Sequence, residues 1–200
     1  MVIEVTVERK EEKKKKKVAW GITGSGDRIV ETVEIMKKIK KQFENEVEIL
    51  VYLSKAGDQV IKYYRLTQAL KENFRKIFVE INPNSPFLAG QLQTEKFEFL
   101  LIAPATSNTV AKISMGIADS LLSNAAIMGL KAFIPLYIMP SDYKEGVILT
   151  RLPNGRNLKL RIRKDDVEHV KKLASMESVT ILEKPEEIYQ IFQEYFKPKK

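Results

Sequence analysis

From Val18 onward, short apolar runs alternate with segments of helical periodicity. That alternation restricts the chain to an α/β class in which successive strands run parallel through helical crossovers. Val18–Thr23 ends in Gly24-Ser25-Gly26, after which Ile29, Val33, Met36, Ile39 and Phe43 recur at helix spacing. Val47–Leu53 reads as a second strand closed by Ser54-Lys55-Ala56-Gly57, and the spacing predicts helix over Asp58–Phe74. A short strand at Ile77–Ile81 leads into the loop Asn82-Pro83-Asn84-Ser85-Pro86. Phe97–Ala103 reads as a buried strand, followed by helix from about Asn108 to Ser114 that continues or re-starts through Asp119–Gly129. Ala132–Met139 reads as a strand with Pro135 inside it, which moves it toward a sheet edge. Val147–Leu152 and Leu158–Arg163 flank the hairpin turn Pro153-Asn154-Gly155. Asp165–Ser175, a strand near Val179–Leu182 and a helix from Pro185 to about Phe196 complete the pattern. The expected fold is a single three-layer, doubly wound α/β domain with a mostly parallel sheet and a C-terminal β-hairpin/helix extension.

Two hundred residues suffice for one such domain, and the hydrophobic fraction of 44% is that of a globular chain. With no cysteine and only His169, disulfide scaffolds, Cys-ligated metal centres, thiol nucleophiles and multi-histidine metal sites all lack raw material. The net charge of +8 sits mainly at the ends. Residues 1–17 carry seven basic and four acidic side chains, Lys197, Lys199 and Lys200 close the chain, and only +2 is left for residues 18–196. We therefore divide the chain into a basic polar segment over 1–17, a domain over 18–196 and a basic tail over 197–200, and read Lys13–Lys17 as a solvated or frayed run. Nucleic acid is not the expected partner. No apolar run nears the roughly 20 residues of a membrane span, and the N-terminus lacks a signal-like apolar stretch, so a cytoplasmic location without membrane contact is expected.

In a doubly wound sheet the ligand sits at the carboxyl ends of the strands, where the glycine- and hydroxyl-rich loops fall. Thr23, Gly24 and Ser25 lie between a strand and a helix, where backbone N–H groups can meet a phosphate; a tight turn capped by Ser25 or Asp27 is the competing reading. Ser54 and Lys55 offer a hydroxyl and an ammonium to the same anion, or else a helix cap and a solvated lysine. Ala105-Thr106-Ser107-Asn108-Thr109 places three consecutive polar residues after a buried strand, more than one helix cap requires.

The segment from Ala103-Pro104-Ala105-Thr106-Ser107-Asn108-Thr109 through Gly116-Ile117-Ala118-Asp119-Ser120-Leu121-Leu122 resembles the signature of the homo-oligomeric flavin-containing flavoproteins, the superfamily of phosphopantothenoylcysteine decarboxylase and the flavin prenyltransferases. Leu158–Glu168, Lys171-Lys172-Leu173, Met176–Ile188 and Phe87–Leu92 are similar to the archaeoflavoprotein and dihydromethanopterin reductase subgroup. The resemblance implies a Rossmann-like flavoprotein fold with FMN as cofactor. It assigns Thr23, Gly24, Ser25 and Ser54 to the FMN-holding side, where Lys55 could add its ammonium, and Ala105, Thr106, Ser107, Asn108 and Thr109 to the loop that lines the ring. It also implies a homo-oligomer built from trimers, for which Ala125–Met128 and Phe133–Tyr137 would supply apolar surface.

Departures from the superfamily pattern bear on activity. The catalytic histidine and the Pro-x-Met-Asn clamp of the cysteine decarboxylases are missing: the clamp position reads Ile138-Met139-Pro140-Ser141-Asp142-Tyr143, and His169 lies in a polar run where exposure is expected. A flavin that carries electrons needs no protein acid, base or nucleophile. The expected activity is that of an FMN-dependent oxidoreductase or electron-transfer protein taking electrons from a ferredoxin-type donor and passing them to a small-molecule acceptor, a reduced pterin by resemblance. The alternative is a flavin-dependent decarboxylase or flavin prenyltransferase. As a strand, Leu158–Arg163 would bury Leu158, Leu160 and Ile162 and present Lys159, Arg161 and Arg163 to an acidic electron carrier. We also expect the helix at Asn108 to point its positive end at the flavin and to raise its potential.

Overall fold

A computed structural model describes residues 15–196, apart from the side chain of Arg151. In chain order the elements are β1 (Lys16–Ile22), α1 (Ile29–Gln42), β2 (Val47–Leu53), α2 (Lys55–Tyr63), α3 (Thr67–Asn73), β3 (Ile77–Val79), α4 (Leu88–Thr94), β4 (Phe97–Ala105), α5 (Ser107–Ser114), α6 (Leu121–Lys131), β5 (Leu136–Pro140), β6 (Gly146–Arg151), β7 (Asn157–Ile162), α7 (Lys164–Ala174), β8 (Val179–Ile181) and α8 (Pro185–Phe196). Six strands form one parallel sheet in the order β3-β2-β1-β4-β5-β8, and β6 and β7 form a separate antiparallel hairpin.

Strand alternation sorts the side chains into two cores. Val18, Trp20 and Ile22 of β1 face α1, α2, α3 and α8, whereas Ala19, Leu50 and Tyr52 face α4, α5, α6 and α7. Trp20 is fully buried without an orphaned donor, because its Nε1–H meets the carbonyl of Ala103 at 2.8 Å while its ring packs edge-on against Phe74. The chain builds the sheet outward from β1 through β2 to β3, then returns and adds β4 and β5 on the other side. The direction of winding therefore reverses between β1 and β4, which opens a crevice at their carboxyl ends.

The three-layer, mostly parallel architecture is the one expected, and the differences are local. The helix predicted over Asp58–Phe74 is two helices: Arg65 adopts a left-handed φ of 57°, and the Leu66 N–H closes back on Ile61 O at 2.9 Å, a helix-terminating geometry. Helix α4 fills the stretch before β4 that the periodicity left unassigned. Residues 132–135 turn rather than extend, with Phe133 at φ 61°, so Pro135 precedes β5 and that strand lies inside the sheet instead of at its edge. The C-terminal part is an integral layer as well as an extension: β8 closes the sheet and α8 packs on α1 through contacts such as Phe43–Phe192. Of the segments assigned to an oligomer surface, Ala125, Ala126 and Leu136 are core, while Phe133 is 89% exposed.

Lys16 and Lys17 belong to β1 and pair with Glu98 at 3.2 Å and Glu95 at 2.5 Å, so these last two lysines of the run are anchored; residues 1–14 and 197–200 lie outside the described residues. No described helix is long and apolar enough to cross a membrane.

Candidate cofactor site

Thr23, the residue after β1, ties the two sides of the crevice together. Its hydroxyl donates to Pro104 O at 2.9 Å and accepts from the Thr106 N–H at 2.9 Å, so the loops after β1 and β4 move as one. The loop after β1 also packs tightly on α2. A Cβ on Gly24 would lie 2.6 Å from Ala56 Cβ, and one on Gly26 would lie 2.5 Å from the Tyr64 hydroxyl, which explains why both positions are glycine. α1 starts without a side-chain cap; its N-cap is Arg28 in the left-handed region at φ 53°, and Ser25 Oγ instead accepts from the Asp27 N–H at 3.2 Å. Ser25 thus caps the turn, as the competing reading had it, but neither Ser25 nor Asp27 caps α1, because the chain enters the helix through Arg28.

On the other side, Thr106 is the N-cap of α5 and accepts from the Thr109 N–H at 3.2 Å. One residue thus does the capping, and Ser107 and Asn108 are left over, as three polar residues in a row suggested. The exposed Asn108 side chain makes no hydrogen bond among the described residues. Ser107 donates its hydroxyl to Asp142 Oδ2, and Ser141 bonds Ser25 through their hydroxyls at 2.5 Å, so the segment after β5 is joined to both loops.

These loops surround a cavity of about 440 Å³. Gly24, Ser25, Gly26 and Asp27 form one side; Thr106, Ser107 and Asn108 with Ser141 and Asp142 form another; Val60, Tyr63 and Tyr64 of the α2 region and Ile148, Thr150, Leu152, Leu158 and Leu160 of the hairpin form an apolar wall. The backbone N–H groups of Gly24, Ser25, Gly26, Ser107 and Asn108 have no acceptor among the described residues. Five such donors beside a half-apolar cavity fit a ligand with an anionic or carbonyl-rich part and a flat apolar part, which is the chemistry of FMN. Burial pushes the Asp27 carboxyl above the ordinary range, opposed by Arg28 and reinforced by Glu31 and Asp142.

The structure does not gather all the predicted residues at this lining. Gly24, Ser25, Thr106, Ser107 and Asn108 face the cavity. Thr23 and Ala105 are buried behind it, and Thr109 is buried with its hydroxyl 3.1 Å from that of Thr106. Ser54 is the N-cap of α2, accepting from the Gly57 N–H at 2.9 Å, and the Lys55 N–H donates to Glu80 Oε2 at 3.1 Å. Glu80 also accepts from the Leu121 N–H at 2.8 Å, so one carboxylate holds the starts of two helices. Sequence reasoning missed Glu80, Tyr63, Tyr64, Ser141 and Asp142. For Ser141 and Asp142 a signal existed, since they directly follow an apolar strand as the recognised loops do.

Other expectations change. His169 is half-buried, not exposed, with Nδ1 3.1 Å from the Ser114 hydroxyl. Of the hairpin residues expected to be buried only Ile162 is, while Leu158 and Leu160 remain part-exposed and border the cavity. Arg163 leaves the basic face because it forms a two-pronged pair with Asp166, at 2.9 and 2.6 Å.

The flavoprotein family model matches residues 6–196, almost the whole chain. The chain belongs to the flavoprotein family. This flavoprotein is 47% identical over 184 residues to a protein of Methanocaldococcus jannaschii described as uncharacterized, covering 92% of this chain and 98% of that one. It is 29% identical over 235 residues to the dihydromethanopterin reductase (acceptor) of the same organism, covering 88% of this chain and 95% of that protein. Among solved structures it resembles Burkholderia xenovorans DmrB, determined in complex with FMN and described as a cubic protein cage for redox transfer. That likeness has a TM-score of 0.75 and 28% identity over 90% of this chain and 94% of DmrB. The archaeoflavoprotein-type placement within the flavin-containing superfamily thus holds over the full domain, hairpin and C-terminal helices included.

Proposed function

We propose that this flavoprotein is an FMN-dependent oxidoreductase that accepts electrons from a ferredoxin-type donor and passes them to a small-molecule acceptor of the reduced-pterin class. The observation that carries the reading is the lining of the cavity: five free backbone donors and an apolar wall, without a histidine, lysine or arginine side chain among the described residues. The isoalloxazine supplies the electron chemistry when bound, and the protein has only to hold it. Gly24, Ser25 and Gly26 would bind the phosphate end through their amides, with Ser54 and Lys55 behind them. Thr106, Ser107 and Asn108 would meet the polar edge of the ring, on a backbone that Thr23, Ala105 and Thr109 hold in place.

The same lining disfavours the decarboxylase and prenyltransferase reading. A substrate carboxylate or diphosphate on the ring side of this cavity would meet the Asp142 carboxylate, and the described lining holds no lysine, arginine or histidine side chain to offset it; Asp27, on the other side, has Arg28 at 3.8 Å. Lys159 and Arg161, exposed on the outer face of β7, would meet an acidic electron carrier. Exposed Phe133, Ile81 and Phe87 supply apolar surface for a trimer-based homo-oligomer, and DmrB's description as a cage supports assembly in kind. The cytoplasm, where reduced ferredoxin and pterins meet, is the location that goes with this reading.

The full chain purified with its natural cofactor should show flavin absorption bands, release FMN on denaturation, and reduce a dihydropterin when given reduced ferredoxin. Colourless protein that takes up no FMN would refute the cofactor assignment. Decarboxylation of a cysteinyl peptide without dihydropterin reduction would overturn the activity in favour of the alternative.

A further inference from the structure

The lining of the cavity is anionic, and the position of one of its two carboxylates is built rather than incidental. Asp142 lies two residues past β5 and takes a hydrogen bond from Ser107, the first residue of α5. The carboxylate is thereby fixed at the positive end of the helix whose first two residues line the cavity, with no acceptor for their amides among the described residues. By itself such a helix end favours negative charge on a ligand; a full carboxylate held there outweighs the half-charge of the dipole and reverses the local field. No cation in the described lining neutralises it. Arg163 feels the charge of Asp142, but its guanidinium is committed to Asp166.

We propose that Asp142, locked to α5 by Ser107, is a redox-tuning residue that holds the potential of the bound flavin low. The inference rests on the cofactor reading above and reverses the expectation that the α5 terminus raises the potential. Uptake of two electrons and one proton by the neutral oxidised ring leaves one net negative charge on its pyrimidine side. A fixed carboxylate in the same cavity opposes that charge and leaves the neutral oxidised form nearly unaffected, so reduced FMN is bound less tightly than oxidised FMN. The consequence suits the proposed reaction, because a low-potential flavin is the better reductant toward a carbon–nitrogen double bond.

The test uses the full chain loaded with FMN, comparing wild type with Asp142→Asn, Asp142→Ser and Asp142→Glu. Fluorescence quenching gives the affinity for oxidised FMN, and spectroelectrochemical titration gives the midpoint potential. Asp142→Asn should bind oxidised FMN within about threefold of wild type. It should favour the reduced form by a further factor of about ten, an upward shift of about 30 mV for a two-electron couple. Asp142→Ser, which also removes the charge, should shift the same way, and Asp142→Glu should stay near wild type. Wild-type protein that fails to bind FMN would sink the cofactor reading and this inference together. FMN-loaded neutral variants with an unchanged or lowered potential would sink only the inference.

Discussion

Replacing Glu80 with alanine should destabilise the fold far more than a half-exposed surface glutamate normally would. Its carboxylate accepts from the Lys55 N–H at 3.1 Å and the Leu121 N–H at 2.8 Å, the first amides of α2 and α6. Those helices lie on opposite faces of the sheet, so Glu80 joins both layers at the end of edge strand β3. Each bond resembles a capping interaction, which costs about 1 kcal/mol to remove, and each also loses a favourable charge at a helix N-terminus. Water can reach a half-buried site and replace part of both bonds, so the sum is about 2 kcal/mol. Ser54 and Ser120 still cap the third amide of each helix, at 2.9 and 3.4 Å, which keeps the helices from unravelling outright. For a chain of this size the loss corresponds to roughly 4–8 °C in Tm. Urea denaturation should show a lower midpoint at unchanged slope, and hydrogen exchange should quicken at the amides of Lys55 and Leu121 together. Glu80→Gln keeps one acceptor and turns its NH2 toward the other amide, so it should fall between alanine and wild type. A loss under about 0.5 kcal/mol, the range of ordinary surface changes, would refute the double-cap argument.

Three further outcomes follow from particular contacts. Gly57→Ala would drive its new Cβ into the backbone carbonyl of Ile22, which cannot move without breaking the β1 ladder, so thermal melts should show a loss of at least about 2 kcal/mol; near-wild-type stability would contradict the packing described. Thr106→Ala should cost about 1 kcal/mol as the loss of a helix cap, whereas Asn108→Ala, which removes no protein hydrogen bond, should leave stability within about 0.5 kcal/mol and weaken FMN binding; the reverse pattern in melts and FMN titrations would exchange their roles. The hydrogen bonds and charge of Arg163 hold the buried Asp166 below the ordinary carboxylate range. The stability this pair contributes is therefore fully present above the unfolded value of about 4 and is lost as pH falls through the lower folded value. In acid-range urea titrations Asp166→Asn should flatten the dependence of stability on pH below about 4, and an unaltered slope would show that the pair contributes nothing.

What the sequence showed and what it hid divide along the range of the interactions involved. The strand–loop–helix rhythm is local: apolar runs, glycines and hydroxyls announced β1, β2, β4 and the loops after them within a few residues, and the loops after β1 and β4 border the cavity. The break at Arg65 was invisible because an arginine in the left-handed region has no compositional signature; the turn is stabilised by a bond from Leu66 to Ile61 and not by a glycine. Pro135 misled for a related reason, since proline is tolerated at the start of a strand as well as at a sheet edge, and the left-handed Phe133 before it turns the chain so that Pro135 precedes β5. In the site, hydroxyls could be recognised as polar but not sorted. Thr23 and Thr106 look alike in sequence, yet one is spent bridging two loops and the other capping α5, while Ser107 is tied to Asp142 and Asn108 is left without a side-chain partner among the described residues. Asp142 was hardest to see, because its importance lies in which helix it touches, 35 residues away. A motif can mark where a cofactor's edge would lie. The field at that edge is set by the side chains that other strands deliver, so a flavin potential argued from the α5 motif alone takes the opposite sign from one argued with Asp142 in place.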